Sequence, residues 1–233
     1  MLVEGFPAGP PATNCYVVAP AAGEQCVVVD PGIGADAPLD DLLGRRRLHP
    51  VAVLLTHGHC DHTFSVLPVC GAKDVPAYIH PADRGQLTDP WTPIGLPRHT
   101  PLFGRLRWAE PADVRTLADG EILEIAGLSL RVDLAPGHTP GSVTFTAPQA
   151  DPDTDAPVLF SGDLLFAGSI GRTDFPGGSY QEILRSLARV VLPLPDDTVV
   201  LSGHGPATTV GRERAGNPYL REAMPASGPR TGL

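Results

Sequence analysis

Short β-branched apolar runs recur along the chain, and most end in a glycine-containing turn that carries a polar residue. Continuous apolar or period-two runs of four to eight residues mark strands, and apolar positions three and four apart mark helices. Residues 14–19 and 25–30 read as strands, the second ending in Asp30-Pro-Gly. Residues 51–55 form a strand that runs straight into Thr56-His-Gly-His, and residues 76–80 form another. Residues 121–135 alternate around Gly127, which predicts a hairpin, and 142–146, 158–160 and 198–201 are further strands. Helical patterning covers 37–47, 61–70, 178–192 and 206–214, and Pro81 suits the first position of a helix over 81–87.

Two stretches lack periodicity. Residues 90–101 hold four prolines and Trp91 and read as a loop and candidate lid, while 148–157 is acidic, proline-rich and reads as a surface loop. From Met224 the chain has no apolar anchor, so 224–233 is expected to be a disordered tail. No repeat or linker divides residues 1–223, which are expected to form one domain. Strands come in runs with helices between the groups, which points to two packed sheets covered by helices and away from regular βαβ alternation.

Composition narrows the function classes. The chain has 233 residues, 42% of them hydrophobic, enough for a sizeable core. Seventeen basic residues against 26 acidic ones give a net charge of −9, which argues against a nucleic-acid or anionic-membrane partner. No apolar run approaches the roughly 20 residues of a membrane span. The opening Met-Leu-Val-Glu-Gly-Phe-Pro has neither a basic nor an apolar signal region. The cysteines Cys15, Cys26, Cys60 and Cys70 have no paired spacing and read as buried reduced thiols, so a cytoplasmic location is expected. Oligomeric state is left open.

The densest chemical signal is Thr56-His57-Gly58-His59-Cys60-Asp61-His62, directly after an apolar strand. Imidazole and carboxylate are the ligands expected for Zn²⁺ or non-haem iron. On an extended segment His57 and His59 point the same way, while Asp61 and His62 enter the next turn and face a neighbouring point. Two adjacent metals are therefore geometrically reasonable. Cys60, between them, is expected to face away. Three more strands end in a candidate ligand: Pro136-Gly-His138, Ser161-Gly-Asp163 and Ser202-Gly-His204-Gly-Pro. If these strands run the same way, their ends converge on one edge. His49, His80 and His99 have no matching motif and read as ordinary histidines, and Trp91 and Trp108 as loop packing.

The order His-x-His-x-Asp-His, then His, Asp and His, resembles the metallo-β-lactamase superfamily from Asn14 to about Leu220. The stretch Phe166-Ala-Gly-Ser-Ile-Gly-Arg-Thr-Asp-Phe-Pro-Gly-Gly, with Gly203-His-Gly-Pro, resembles small bacterial glyoxalase II-like (hydroxyacylglutathione hydrolase-like) enzymes. The resemblance implies an α/β fold of the four-layer αβ/βα sandwich type with metals at one edge. It places His57, His59 and His138 on a first metal, Asp61, His62 and His204 on a second, and Asp163 between them. Asp30 matches a position that braces the metal loops. The implied cofactors are two divalent ions, Zn²⁺ first, with Fe or Mn as alternatives.

The implied activity is hydrolysis of an acyl thioester of a small thiol. Two cations about 3.5–4 Å apart would lower the pKa of a water between them towards 7 and polarise the scissile carbonyl. Asp61 and Asp163 would orient that water, and Asp61 would take its proton. The larger glyoxalase II enzymes carry a helical domain for glutathione, but 29 residues follow His204 here. They also carry a Lys and a Tyr after the bridging Asp, where this chain has Arg172 and Asp174, and often a second His where Ser142 stands. Arg172 and Asp174 are candidate substrate contacts, with an ion pair that fixes their loop as the simpler role. Strong discrimination for glutathione is therefore not expected. The alternative is a mononuclear iron persulfide dioxygenase of the same superfamily, which shares a Gly-Arg-Thr-Asp-Phe stretch and would use His57, His138 and Asp163. A binding module without catalysis is disfavoured because no ligand is missing. A secreted β-lactamase is disfavoured by the absence of a signal sequence. A flavodiiron centre would need an acidic residue at His59.

Overall fold

A computed structural model of the chain describes residues 1–98, 100, 108–147 and 156–224. The strands are β1 (Leu2–Ala8), β2 (Thr13–Ala19), β3 (Gln25–Val29), β4 (His49–Leu54), β5 (Ala77–Ile79), β6 (Val114–Thr116), β7 (Ile122–Ile125), β8 (Leu128–Leu134), β9 (Val143–Ala147), β10 (Val158–Gly162), β11 (Val199–Ser202) and β12 (Thr208–Thr209). The helices are α1 (Asp36–Arg46), α2 (Cys60–Thr63), α3 (Val66–Lys73), α4 (Pro81–Arg84), α5 (Tyr180–Ser186), α6 (Val210–Gly216) and α7 (Pro218–Glu222).

Strands β1 to β6 form one six-stranded sheet in sequence order, and β12 to β7 form a second in reverse order. In the first sheet β3, β4 and β5 run parallel. In the second, β8 and β10 are both antiparallel to β9, and β11 is parallel to β10, so β8, β10 and β11 share one direction. The strands that precede the candidate ligands thus end on the same side of their sheets, as the turn pattern required.

Burial on both faces explains the near-continuous apolar runs. Alternate residues of β3 and β4 divide between two cores. Val27, Val29, Ala52 and Leu54 point between the sheets and meet Leu130, Val132, Phe145 and Phe160. Cys26, Val28, Val53 and Leu55 point outward under Leu39, Leu42, Val66 and Val69 of α1 and α3. On the far side, Leu159 and Val200 lie under Ile183, Leu187, Val191 and Leu220. The layers are therefore α, β, β, α. Each large aliphatic or aromatic side chain fully buried in these cores contributes about 1.5–3 kcal/mol of transfer free energy.

Several expected elements are corrected. Residues 61–70 are two helices, α2 and α3, because Ser65 turns out of helical geometry (φ −92°, ψ 6°) and its N–H donates to the Pro31 carbonyl at 3.0 Å. The helix expected over 178–192 starts at Tyr180, capped by the Ser179 hydroxyl, and continues as a wide π turn over Leu187–Val191. That expected over 206–214 is preceded by β12 and starts at Val210, where the Thr209 hydroxyl caps it. Strands β1 and β6 and helix α7 have no counterpart in the sequence pattern. In the loop 90–101, Thr92–Ile94 form a single 3₁₀ turn and the Trp91 indole donates to the Thr100 carbonyl at 2.7 Å. The rest of that expectation (residues 99 and 101), His99, most of the acidic loop (148–155) and the tail from 225 lie outside the described residues. Among the described residues no helix is long and apolar enough to cross a membrane.

Candidate metal centre

Strand ends bring the candidate ligands together. His57 and His59 leave β4, His138 follows β8, Asp163 follows β10 and His204 follows β11, while Asp61 and His62 lie on α2. Their ligand atoms form overlapping sets within 4.8 Å: His57, His59 and His138; His57, His62 and Asp163; and Asp61, His62 and His204. Asp163 reaches several of them. Its Oδ1 is 3.3 Å from His62 Nε2, and its Oδ2 is 3.5 Å from His138 Nε2 and 3.7 Å from His204 Nε2. Asp61 Oδ2 is 3.1 Å from His204 Nε2 and 3.6 Å from His62 Nε2.

The surrounding acceptors assign the ring protons. The Thr56 hydroxyl donates to Asp30 Oδ2 at 2.6 Å, so toward His57 Nδ1, 3.1 Å away, it is an acceptor. His138 Nδ1 faces the Arg172 carbonyl at 2.8 Å, His62 Nδ1 faces Asp30 Oδ2 at 2.9 Å, and His204 Nδ1 faces the Pro11 carbonyl at 3.2 Å. Each of these Nδ1 atoms therefore carries a proton, and each Nε2 turns into the centre. Fixing one ring nitrogen by a hydrogen bond to present the other is the usual support of a metal-binding histidine. His59 is the exception: its Nδ1 approaches His138 Nε2 at 2.8 Å, and its Nε2 is buried without a hydrogen-bond partner among the described residues.

These contacts fit a cation better than they fit a metal-free protein. Neutral His57 and His138 would point Nε2 lone pairs at each other across 3.2 Å. Two nitrogens bound tetrahedrally at about 2.0–2.1 Å stand about 3.3 Å apart. Asp163 Oδ1, buried, likewise has no hydrogen-bond donor among the described residues. Asp30 lies behind the centre. Its carboxylate accepts from the Thr56 N–H (2.8 Å), the Thr56 hydroxyl and His62 Nδ1, and so ties the end of β4 to α2.

Electrostatics divide the centre. Burial, then repulsion from His62 and His138, drives the His57 pKa well below the usual imidazole range, and burial, then His138, takes His59 down to about 3. Burial also opposes charge on His62 and His204, but the facing carboxylates outweigh it and both pKa values are raised. Asp61 and Asp163 behave conversely: burial favours their neutral forms, yet His62 and His204 hold both pKa values below the carboxylate norm.

Around the centre, Arg172 and Asp174 bond each other through Nε–Oδ1 and Nη2–Oδ2 contacts of 2.7 and 2.8 Å. The Arg172 guanidinium stacks 3.6 Å over the Phe175 ring, whose edge meets His59. Cys60 is buried, and burial pushes its thiol up to about 11; all four cysteines are free and buried. His80 caps α4 through Nδ1, which accepts from the Ala82 N–H. Asp83, which the sequence does not single out, is fully buried and contacts both the loop of His57 and His59 and that of His138. An Asp on one turn of helix carries no sequence signal of its own. Pro81 and His80, which place that turn after β5, are the nearest available pointers.

Residues 8–204 match the model of the metallo-beta-lactamase superfamily. An uncharacterized protein of Mycobacterium tuberculosis is 48% identical over 94% of this chain and 98% of its own length. Hydroxyacylglutathione hydrolase GloC of Haemophilus influenzae is 32% identical over 84% of this chain and 88% of its own. Among solved structures, BLEG-1 B3 metallo-beta-lactamase superposes with a TM-score of 0.80 at 41% identity, covering 94% of this chain and 99% of that one. TTHA1623 in a di-iron-bound form gives 0.74 at 37% identity, covering 93% and 99%. ETHE1 from Myxococcus xanthus gives 0.74 at 23%, covering 96% and 88%, a likeness of fold. With the sandwich, the order of the motifs and the convergence of their side chains agreeing, the chain belongs to the metallo-beta-lactamase superfamily.

Proposed function

We propose that the protein hydrolyses acyl thioesters of a small thiol, using two divalent cations at this centre, Zn²⁺ first with Fe or Mn as alternatives. His57, His59 and His138 would hold one cation, Asp61, His62 and His204 the other, and Asp163 would contact both. The observation that carries the reading is the complete second group: Asp61, His62 and His204 converge within 4.8 Å beside an already sufficient first group. When bound, two such ions lower the pKa of a water between them and polarise a carbonyl oxygen. The protein's own groups do the remainder. Asp61 Oδ2 and Asp163 are acceptors turned into the centre, placed to orient a water, and Asp61 is placed to receive its proton. A thiolate leaving group, with a pKa near 8.5, departs without a general acid, which suits a centre offering no lysine or tyrosine. The likeness to GloC, whose name is hydroxyacylglutathione hydrolase, supports the substrate class. The proposed place of action is the cytoplasm, where unpaired thiols stay reduced.

Metal analysis of purified protein joined to assays on S-lactoylglutathione and a matching thioester of another small thiol tests this. Hydrolysis should vanish with EDTA and return with Zn²⁺, Fe²⁺ or Mn²⁺, and the two thioesters should differ little. A several-hundred-fold preference for the glutathione ester, about 3–4 kcal/mol of transition-state binding, would contradict the proposed lack of discrimination. Full activity without metal ends the reading of a metal-dependent hydrolase. One tightly bound iron with oxygen uptake on a persulfide and no thioesterase activity would assign the dioxygenase instead. A β-lactam belongs in the panel because BLEG-1 is titled a B3 metallo-beta-lactamase.

A further inference from the structure

The first group is assembled from two sheets. His57 and His59 come from the loop after β4, and His138 from the loop after β8. Its nitrogens nevertheless meet at 2.8 and 3.2 Å. A backbone bond from the Val143 N–H to the Thr56 carbonyl, 2.7 Å, joins the strand ends below. Above it, one carboxylate joins the loops themselves. Asp83 Oδ2 accepts from the Gly58 N–H (2.9 Å), between His57 and His59, and from the Thr139 hydroxyl (2.6 Å), next to His138. Asp83 Oδ1 accepts from the Gly141 N–H at 2.8 Å. The Thr139 hydroxyl, its proton given to Asp83, accepts in turn from Ser142 Oγ at 2.7 Å.

Contact is close on both sides. A Cβ at Gly58 would stand 2.8 Å from the Asp83 carbonyl oxygen, and one at Gly141 would stand 2.6 Å from the Asp83 carboxylate. Asp83 is 0% exposed, so its side chain reaches neither solvent nor substrate. The second group has different supports: Asp30 for His62, the Thr13 hydroxyl for Asp61 and the Pro11 carbonyl for His204.

We propose that Asp83 is a positioning residue that sets the spacing of His57, His59 and His138, and thereby the affinity of the first metal, without acting on the second. The inference rests on the reading of the centre as a metal site. Loss of a hydrogen-bonding partner behind metal ligands typically weakens binding roughly 10–100-fold.

Co²⁺ titration with chelator competition, read by the visible bands of the bound ion, tests the inference. The His204→Ala background isolates the first group. There, Asp83→Ala should weaken the first cobalt roughly 10–100-fold and shift its bands, and with His204 in place it should leave the second affinity unchanged. Asp83→Asn should fall between, because its oxygen can keep Gly58 and Thr139 while its amide meets the Gly141 N–H. Thr139→Val, which removes one donor and is the gentler variant if Asp83→Ala fails to fold, should weaken the first cobalt less. Thr139→Ser should restore it. A wild type that takes two cobalt ions, with Asp83→Asn and Thr139→Val unchanged, overturns the inference alone, as does equal weakening of both ions. A wild type that takes up no cobalt overturns the metal-site reading, and this inference with it.

Discussion

The two halves of the centre differ in what they ask of a metal. The half formed by His57, His59 and His138 is at most 4% exposed and is built from imidazoles, two of which burial keeps neutral. The half formed by Asp61, His62 and His204 is more open: the Asp61 and His204 side chains are 26% and 27% exposed. It also holds a carboxylate and two histidines with raised pKa values. A metal ligand must be deprotonated, so the second half, with its raised imidazole pKa values, competes with protons for its ion more strongly than the first.

Three measurements break or sharpen that contrast. The largest effect is expected from His204→Ala, which should leave about one metal per chain and lower thioester kcat by at least about 100-fold, or about 2.7 kcal/mol. Unchanged stoichiometry with unchanged turnover would erase the distinction between the halves. Acidification comes next. Groups with raised pKa values keep their protons to higher pH, so falling pH costs the second ion first, with affinity dropping about tenfold per pH unit for each proton displaced. The first ion should persist, since His59 titrates only at about 3. Metal content after desalting between pH 7.5 and 5.5 checks this, and simultaneous loss of both ions would refute it. The smallest effect is expected outside either half. Arg172→Ala removes an exposed ion pair but keeps the carbonyl that orients His138, so kcat/KM should change less than about fivefold for either thioester. A larger, glutathione-specific loss would make Arg172 a substrate contact.

The same physics decides what was legible in the sequence. Strands β3, β4, β8, β10 and β11 are visible because their apolar or alternating runs end in a polar turn. The ligands follow those ends, so most of the centre was legible with them. Strand β1 was not, because Gly5 and Pro7 interrupt its alternation; as an edge strand it tolerates the proline. Strand β6, Val114–Thr116, holds one apolar residue and shows no run. The break at Ser65 depends on the Pro31 carbonyl, a tertiary partner that no local pattern announces. Asp83 escaped for the same reason, since its donors lie 25, 56 and 58 residues away.

The opening hairpin and the last ligand loop are stitched together. Asn14 donates from its backbone N–H to Gly203 and from its side chain to the carbonyls of Ser202 and Gly205, Tyr16 donates to Ser202, and Pro11 accepts from His204. These contacts span 186 to 193 residues. During synthesis the first strands therefore wait for at least 186 further residues before they meet this partner. The second half of the centre cannot exist on a ribosome-bound fragment that stops short of residue 204. A truncated product would keep Asp61 and His62 but lack His204, and the order of translation itself keeps an incomplete chain from acquiring the full centre.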